Sequence, residues 1–268
     1  MKTQMEDNRC TLICGDCLAE LKKIPDESID MVCTDLPYGT TNNDWDKPID
    51  LQRLWPELRR CTKKSAAILL FAQMPYAAEL VMSNRKEFRY EWIYEKTNPT
   101  GFLNAKKMPL KYHEQILVFY RSLPTYHPQF QPADPYQKRG GVKSSNTYRA
   151  GITRPDNKEM SKARRYPGDI IRVSNCSWGK DKGLHPTQKP VELLRYLIET
   201  YSDPGDRILD CTMGSGSTGL ACKASGREFT GIELNSEYFR IAKDRIEMYS
   251  EDKKTKVCIS EEQICFFG

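Results

Sequence analysis

Asp35-Leu36-Pro37-Tyr38 sets a carboxylate, a proline-stiffened turn and an aromatic ring at the end of an apolar run. A carboxylate and a backbone carbonyl can accept the two hydrogens of an amino group, and a neighbouring ring can stack on a flat base. Together they could hold an amino nitrogen so that its lone pair faces an electrophile. A second constellation is the bend from Asp210 through Cys211, Thr212, Met213, Gly214, Ser215, Gly216, Ser217 and Thr218 to Gly219. Glycines there let the backbone turn sharply and approach a ligand closely. Glu233 follows about twenty residues on, where an acid can hold ribose hydroxyls, and Asn235 follows it. The glycine spacing is also that of dinucleotide-binding loops, so a nicotinamide enzyme stays open at this point. Between the two constellations, His185-Pro186-Thr187-Gln188-Lys189-Pro190 leads into a helix. Proline in a first helical turn leaves backbone N–H groups free to meet an anion such as a carboxylate.

Other candidates carry a plain structural alternative. Cys10, Cys14 and Cys17 have C-x3-C-x2-C spacing, as in enzymes that hold an iron–sulfur cluster on S-adenosylmethionine. The apolar stretch Thr11–Cys14 reads instead as a strand, with Cys14 a small core residue. Asp16 lies just past that strand, where it can accept from a ligand's amino group or cap the next helix. His113 has no partner spaced for zinc, and no metal is expected. Trp45 lies in a polar stretch after Gly39 that suits a mobile lid.

The elements that must position these groups alternate between strand and helix. Thr11–Cys14, a helix over Leu18–Ile24 and the strand Ile29–Thr34 make a short βαβ unit. Ala66–Phe71 is a further buried strand, followed by a helix from Pro75. Tyr90–Tyr94 and Gln115–Tyr120 are β-prone, with Lys96–Phe102 between them read as a loop near the base. Arg207–Asp210 and Phe229–Ile232 are strands flanking the glycine bend. Leu51, Leu54, Trp55 and Leu58, then Leu193, Leu194, Leu197 and Ile198, recur at helical spacing and belong to the core. The pattern is that of an α/β fold with reactive groups at the carboxyl ends of parallel strands.

The overall charge of +5 is unevenly spread. From Asp134 to Lys182 twelve Lys and Arg face five Asp and Glu, a net +7 in a segment rich in Pro, Gly, Ser and Tyr. Such a segment is the electrostatic footprint of a nucleic-acid binder, and Lys138, Arg139, Lys143, Arg149, Arg154, Arg164 and Arg165 are its candidate DNA contacts. Ten cysteines without a secretory leader suggest reduced thiols in the cytoplasm. No run is long and apolar enough to cross a bilayer.

Four motifs in this order, Asp35–Tyr38, the basic insert, His185–Pro190 and Asp210–Gly219, resemble the amino-methyltransferases of DNA, in particular the β class. The resemblance implies a Rossmann-like methyltransferase fold: a mostly parallel seven-stranded sheet with helices on both faces and a basic, loop-rich target-recognition insert. It divides the chain into a catalytic half (1–120), an insert (121–184), a cofactor half of the same domain (185–250) and a tail without assigned role (251–268).

It further implies S-adenosyl-L-methionine as cofactor, double-stranded DNA as substrate and, by analogy, a homodimer. Asp35, Leu36, Pro37 and Tyr38 would then be catalytic, with the base flipped out of the duplex. Asp16 would meet the adenine ring of the cofactor and Glu233 its ribose. Thr212, Gly214, Ser215, Gly216, Ser217 and Thr218 would cradle the methionine, with His185, Thr187, Lys189 and Pro190 closing over its end and Asp210 and Asn235 completing the site. The family tetrapeptide usually has proline second. Leu36 keeps the carbonyl that acts there and loses only the stiffening. An initial Asp is typical of adenine-N6 enzymes. Cytosine-N4 transfer and a catalytically silent DNA- or cofactor-binding subunit are the alternatives.

Overall fold

The computed structural model describes residues 2–4, 9–39, 47–132, 164–174 and 188–249. These fall into two compact units. One holds the described residues up to His127 and from Asp169 onward; the other holds those between Pro128 and Gly168. Trp45, His185, Thr187, Lys138, Arg139, Lys143, Arg149 and Arg154 lie outside the described residues.

The larger unit opens with strands β1 (Lys2–Gln4) and β2 (Cys10–Cys14), helix α1 (Cys17–Leu21) and strand β3 (Ile29–Thr34). Helix α2 (Leu51–Cys61), strand β4 (Thr62–Ala72), helix α3 (Tyr76–Ser83) and strands β5 (Phe88–Thr100) and β6 (Lys111–Phe119) follow. The smaller unit contributes the two-residue strands β7 (Gln131–Pro132) and β8 (Arg164–Arg165), which pair antiparallel. The larger unit resumes with β9 (Ile170–Val173), α4 (Val191–Tyr201), β10 (Arg207–Asp210), α5 (Ser217–Ser225), β11 (Glu228–Glu233) and α6 (Ser236–Glu247).

Nine strands form one sheet, in the order β1-β2-β11-β10-β3-β4-β6-β5-β9. The expected seven are its interior. The two additional strands are edges: β1 lies antiparallel on β2, and β9 lies parallel on β5. Within the basic insert Asp169–Val173 alone suggests a strand in the sequence, and β9 is that strand; β1 falls in a polar stretch that gives no such signal. The stretch expected as a loop at Lys96 continues β5 as far as Thr100.

Helices cover both faces, which explains why β3 and β4 are near-continuous apolar runs rather than alternating ones. On one side Val32, Leu70 and Leu209 share a core cluster with Leu21 of α1, Leu54 and Leu58 of α2 and Leu80 of α3. On the other, α4 and α5 pack together, with α4 against β3 and α5 against β11. Val32, Leu54, Leu58 and Leu70 are fully buried, and each such side chain contributes about 1.5–3 kcal/mol of transfer free energy. Local signals fix the ends. Asp50 accepts from Gln52 N–H at 2.9 Å to start α2, and Asn235 accepts from Glu237 N–H at 2.8 Å to start α6.

Candidate active site

β3 and β10 run side by side and parallel, with Met31 opposite Ile208 and Val32 opposite Leu209. β3 has β4 as its other neighbour, and β10 has β11. The chain therefore leaves the two strands in opposite directions across the sheet, and a crevice opens at their carboxyl ends at such a switch point. Both candidate motifs emerge there.

Hydroxyl groups join them. Thr34 Oγ1 donates to Asp210 Oδ1 at 2.8 Å, and Thr212 Oγ1 donates to the backbone carbonyl of Asp35 at 2.9 Å. The two hydroxyl oxygens are 2.8 Å apart. Thr218 Oγ1 and Thr212 N–H also donate to Asp210, at 2.6 and 3.1 Å. The Asp210 carboxyl, expected among the cofactor contacts, is thus turned inward, and its partners come from the end of β3, the bend and the first turn of α5. Burial pushes it up to about 6, against those hydrogen bonds.

On the outer side, Tyr38 OH donates to Asp35 Oδ1 at 2.6 Å, and Lys189 pairs with Oδ2. The Tyr38 ring lies 5.2 Å from that of Tyr76, and Leu36 is buried in the core. Lys189, expected over the cofactor's amino-acid end, instead lies behind Asp35. Its Nζ is 3.4 Å from Glu114 Oε2 and 5.1 Å from the Phe71 ring centroid. Glu114 in turn pairs with Lys96 through Oε1.

Burial raises Asp35 above the usual carboxylate range, and Lys189 offsets part of that rise. Burial alone would lower Lys189, but Asp35 and Glu114 together raise it. Burial likewise works against the charge of Glu114, yet Lys189 and Lys96 hold it below the usual range. Lys96 was expected only as the start of a loop near the base, and Glu114 went unnoticed in the sequence. The one signal was a charged residue flanking each of two β-prone runs, Lys96 after Tyr90–Tyr94 and Glu114 before Gln115–Tyr120.

Around the glycine bend, Glu233 accepts Gly214 N–H at 2.9 Å through Oε2 and Asn235 N–H at 2.8 Å through Oε1. Ser215 Oγ donates to Gln188 Oε1 at 3.3 Å, and Arg245 donates to the Ser215 hydroxyl at 3.0 Å. Gly216 has a left-handed φ of +80°, and a Cβ on it would stand 2.9 Å from Ala242 Cβ. Its glycine therefore serves the turn and the seat of α6 together. Asp16 caps α1, accepting Ala19 N–H at 2.9 Å, with its other oxygen not engaged in that bond. Pro190 stands at the N-cap of α4, one place before the first turn where it was expected, and makes no side-chain cap. Arg164 and Arg165 are exposed on β8 in the smaller unit. Cys10 and Cys14 belong to β2, and no group of three or more His, Cys, Asp or Glu among the described residues is arranged to hold a metal.

A mostly parallel sheet with a carboxylate tetrapeptide and a glycine bend meeting at its switch point defines a Rossmann-like methyltransferase. Residues 29–244 match the family model described as DNA methylase (N6_N4_Mtase). The chain belongs to that family of DNA methyltransferases. It is 30% identical to the DNA adenine methyltransferase YhdJ of Escherichia coli (strain K12), over 95% of this chain and 90% of that protein. Two solved structures share its fold. The complex of M1.HpyAVI with SAM superposes with a TM-score of 0.62 at 21% identity, over 89% of this chain and 100% of that one. The cytosine-N4-specific PvuII DNA methyltransferase gives 0.64 at 17%, over 93% and 91%.

The residues at the bend fit S-adenosylmethionine. α5 starts at Gly216 with no side-chain cap, so its first N–H groups can receive a carboxylate. Ser217 Oγ is buried there with no hydrogen-bond partner among the described residues. Each Glu233 oxygen takes one backbone N–H, which leaves lone pairs for a pair of hydroxyls.

Proposed function

We propose that the chain methylates the N6 amino group of adenine in DNA. The observation that carries this is the Asp35 carboxylate, fixed at the mouth of the crevice, where its backbone is tied to the cofactor bend through Thr212. Similarity to a relative named as an adenine methyltransferase supports adenine over cytosine.

Bound S-adenosylmethionine supplies a methyl group made electrophilic by its sulfonium. Everything else falls to side chains of this protein. An exocyclic amino nitrogen shares its lone pair with the ring and is a weak nucleophile. Asp35 and the Leu36 carbonyl accept its two hydrogens, favouring tetrahedral geometry and aiming the lone pair across the crevice. Tyr38, held by its bond to Asp35, stacks on the flipped base, and Pro37 limits the movement of the turn. Glu233 accepts from the ribose, the free oxygen of Asp16 from the adenine amino group, and the first turn of α5 with Ser217 and Thr218 receives the methionine end. The basic insert, including Arg164 and Arg165, lies along DNA phosphates.

Incubation with labelled S-adenosylmethionine and DNA, followed by nucleoside analysis, tests this. The expected product is N6-methyldeoxyadenosine. Label in N4-methyldeoxycytidine would overturn the choice of base, and unlabelled DNA would overturn the function.

A further inference from the structure

Asp35, Lys189, Glu114 and Lys96 form a chain of alternating charge that the chemistry above leaves partly unused. Asp35 is its outermost member, with a side chain 21% exposed, against 10% for Lys189 and 9% for both Glu114 and Lys96. Its two oxygens are already engaged, one by Tyr38 OH and one by Lys189. Each oxygen keeps a further lone pair, but an arriving amino group must crowd in beside one of these two donors. Lys189 has a second place to go. Glu114 Oε2 is buried without a hydrogen-bond partner among the described residues and lies 3.4 Å from Lys189 Nζ. A shift of roughly half an ångström would bring that separation to ordinary hydrogen-bond length.

We propose that Lys189 is handed from Asp35 to Glu114 when the base enters, which makes Glu114 a positioning residue that acts through the lysine. The inference rests on the reading of the protein as a DNA amino-methyltransferase. Each partner keeps its charge through the exchange: an ammonium N–H leaves Asp35, a neutral amino N–H replaces it, and no proton moves. Lys189 thereby serves both states. Without a base it spares Asp35 the cost of a buried carboxylate lacking a partner, which would otherwise drift toward the neutral acid. With a base bound, it stays nearby as the counter-ion. Lys96 occupies the other Glu114 oxygen and leaves Oε2 for the transfer.

Glu114→Gln keeps the shape and the acceptor for Lys96 but removes the charge that draws Lys189 back. The titratable groups facing Asp35 are Tyr38 from its own loop, Lys189 before α4, Glu114 on β6, Tyr76 on α3, Asp210 on β10 and Cys33 on β3. Of these, Glu114 raises Asp35, so its loss should move the acid limb of the kcat/KM profile to lower pH. Single-turnover transfer on the plateau should fall about tenfold or more, while cofactor affinity, which also reports folding, stays within about twofold. Because Glu114 acts through Lys189, adding Glu114→Gln to Lys189→Met should slow transfer no further. A Glu114→Gln protein with wild-type plateau and limb overturns the handover and leaves the function standing. So does a full additional loss in the double variant. A wild type that transfers no methyl to DNA overturns both.

Discussion

Replacing Asp210 by Asn asks whether the clasp between the two loops titrates near neutrality. Three short oxygen–oxygen contacts run from Asp210 Oδ1 through Thr34 and Thr212 to the Asp35 carbonyl, at 2.8, 2.8 and 2.9 Å. Burial outweighs the bonds from Thr218, Thr34 and Thr212 N–H, carrying the Asp210 carboxyl from 3.8 to about 6. That displacement is worth about 3 kcal/mol. The folded chain holds this proton more tightly than the unfolded one. The contribution to stability is therefore full below 3.8, fades as pH rises through about 6 and is level beyond it. Asn removes the titration while offering an oxygen to Thr34 and Thr212 N–H and an amide to Thr218. Urea unfolding of both proteins at closely spaced pH isolates the effect, because every other titrating group cancels in the difference. Wild type minus variant should fall by about 2.5 kcal/mol between about pH 4 and pH 7.5, with unchanged m-values. Parallel profiles, or a wild type that gains on the variant as pH rises, would refute the reasoning.

Asp35→Ala should abolish methyl transfer while cofactor affinity, measured by calorimetry, stays close to wild type, since none of the bend's own hydrogen bonds uses that side chain. Tyr38→Phe removes the 2.6 Å bond to Asp35 but keeps the ring; transfer should fall by about tenfold, the size of one hydrogen bond to a charged group, and Tyr38→Ala should fall much further. Gly231→Ala would set a Cβ 2.3 Å from Met213 Sδ and 2.6 Å from the Phe229 ring. Overpacking of that kind should cost about 1–3 kcal/mol in chemical denaturation and weaken cofactor binding through the displaced bend. Burial pushes the thiols of Cys33, Cys211 and Cys222 well above their ordinary range, so a thiol reagent should modify them only as fast as the chain unfolds.

Sequence periodicity located the interior strands and the helices because burial on two faces leaves uninterrupted apolar runs, as in Ile29–Thr34 and Ala66–Phe71. The meeting of Asp35 with the glycine bend was also readable, since turn chemistry at the ends of successive strands is a local signal. What escaped was of another kind. Nothing beside Lys96 or Glu114 in the chain announces that they share a buried ion pair, because their proximity is made by the antiparallel pairing of β5 with β6. Asp210 was recognised as a site residue, but its direction was not. Whether a carboxylate faces a ligand or a threonine on the neighbouring strand depends on register, which single residues do not encode. Asp16 presented the same ambiguity, and its cap on α1 engages one oxygen only.

Thr34 and Asp210 are 176 positions apart. A growing polypeptide therefore carries the tetrapeptide long before it carries the strand that completes the crevice. Contacts spanning so much chain form late in folding, after the entropy of a very long loop has been overcome. Any translation product that stops short of β10 lacks the partner strand, the bend and the acid that follows it. A half-made chain still attached to its ribosome therefore lacks the crevice in which the two motifs meet.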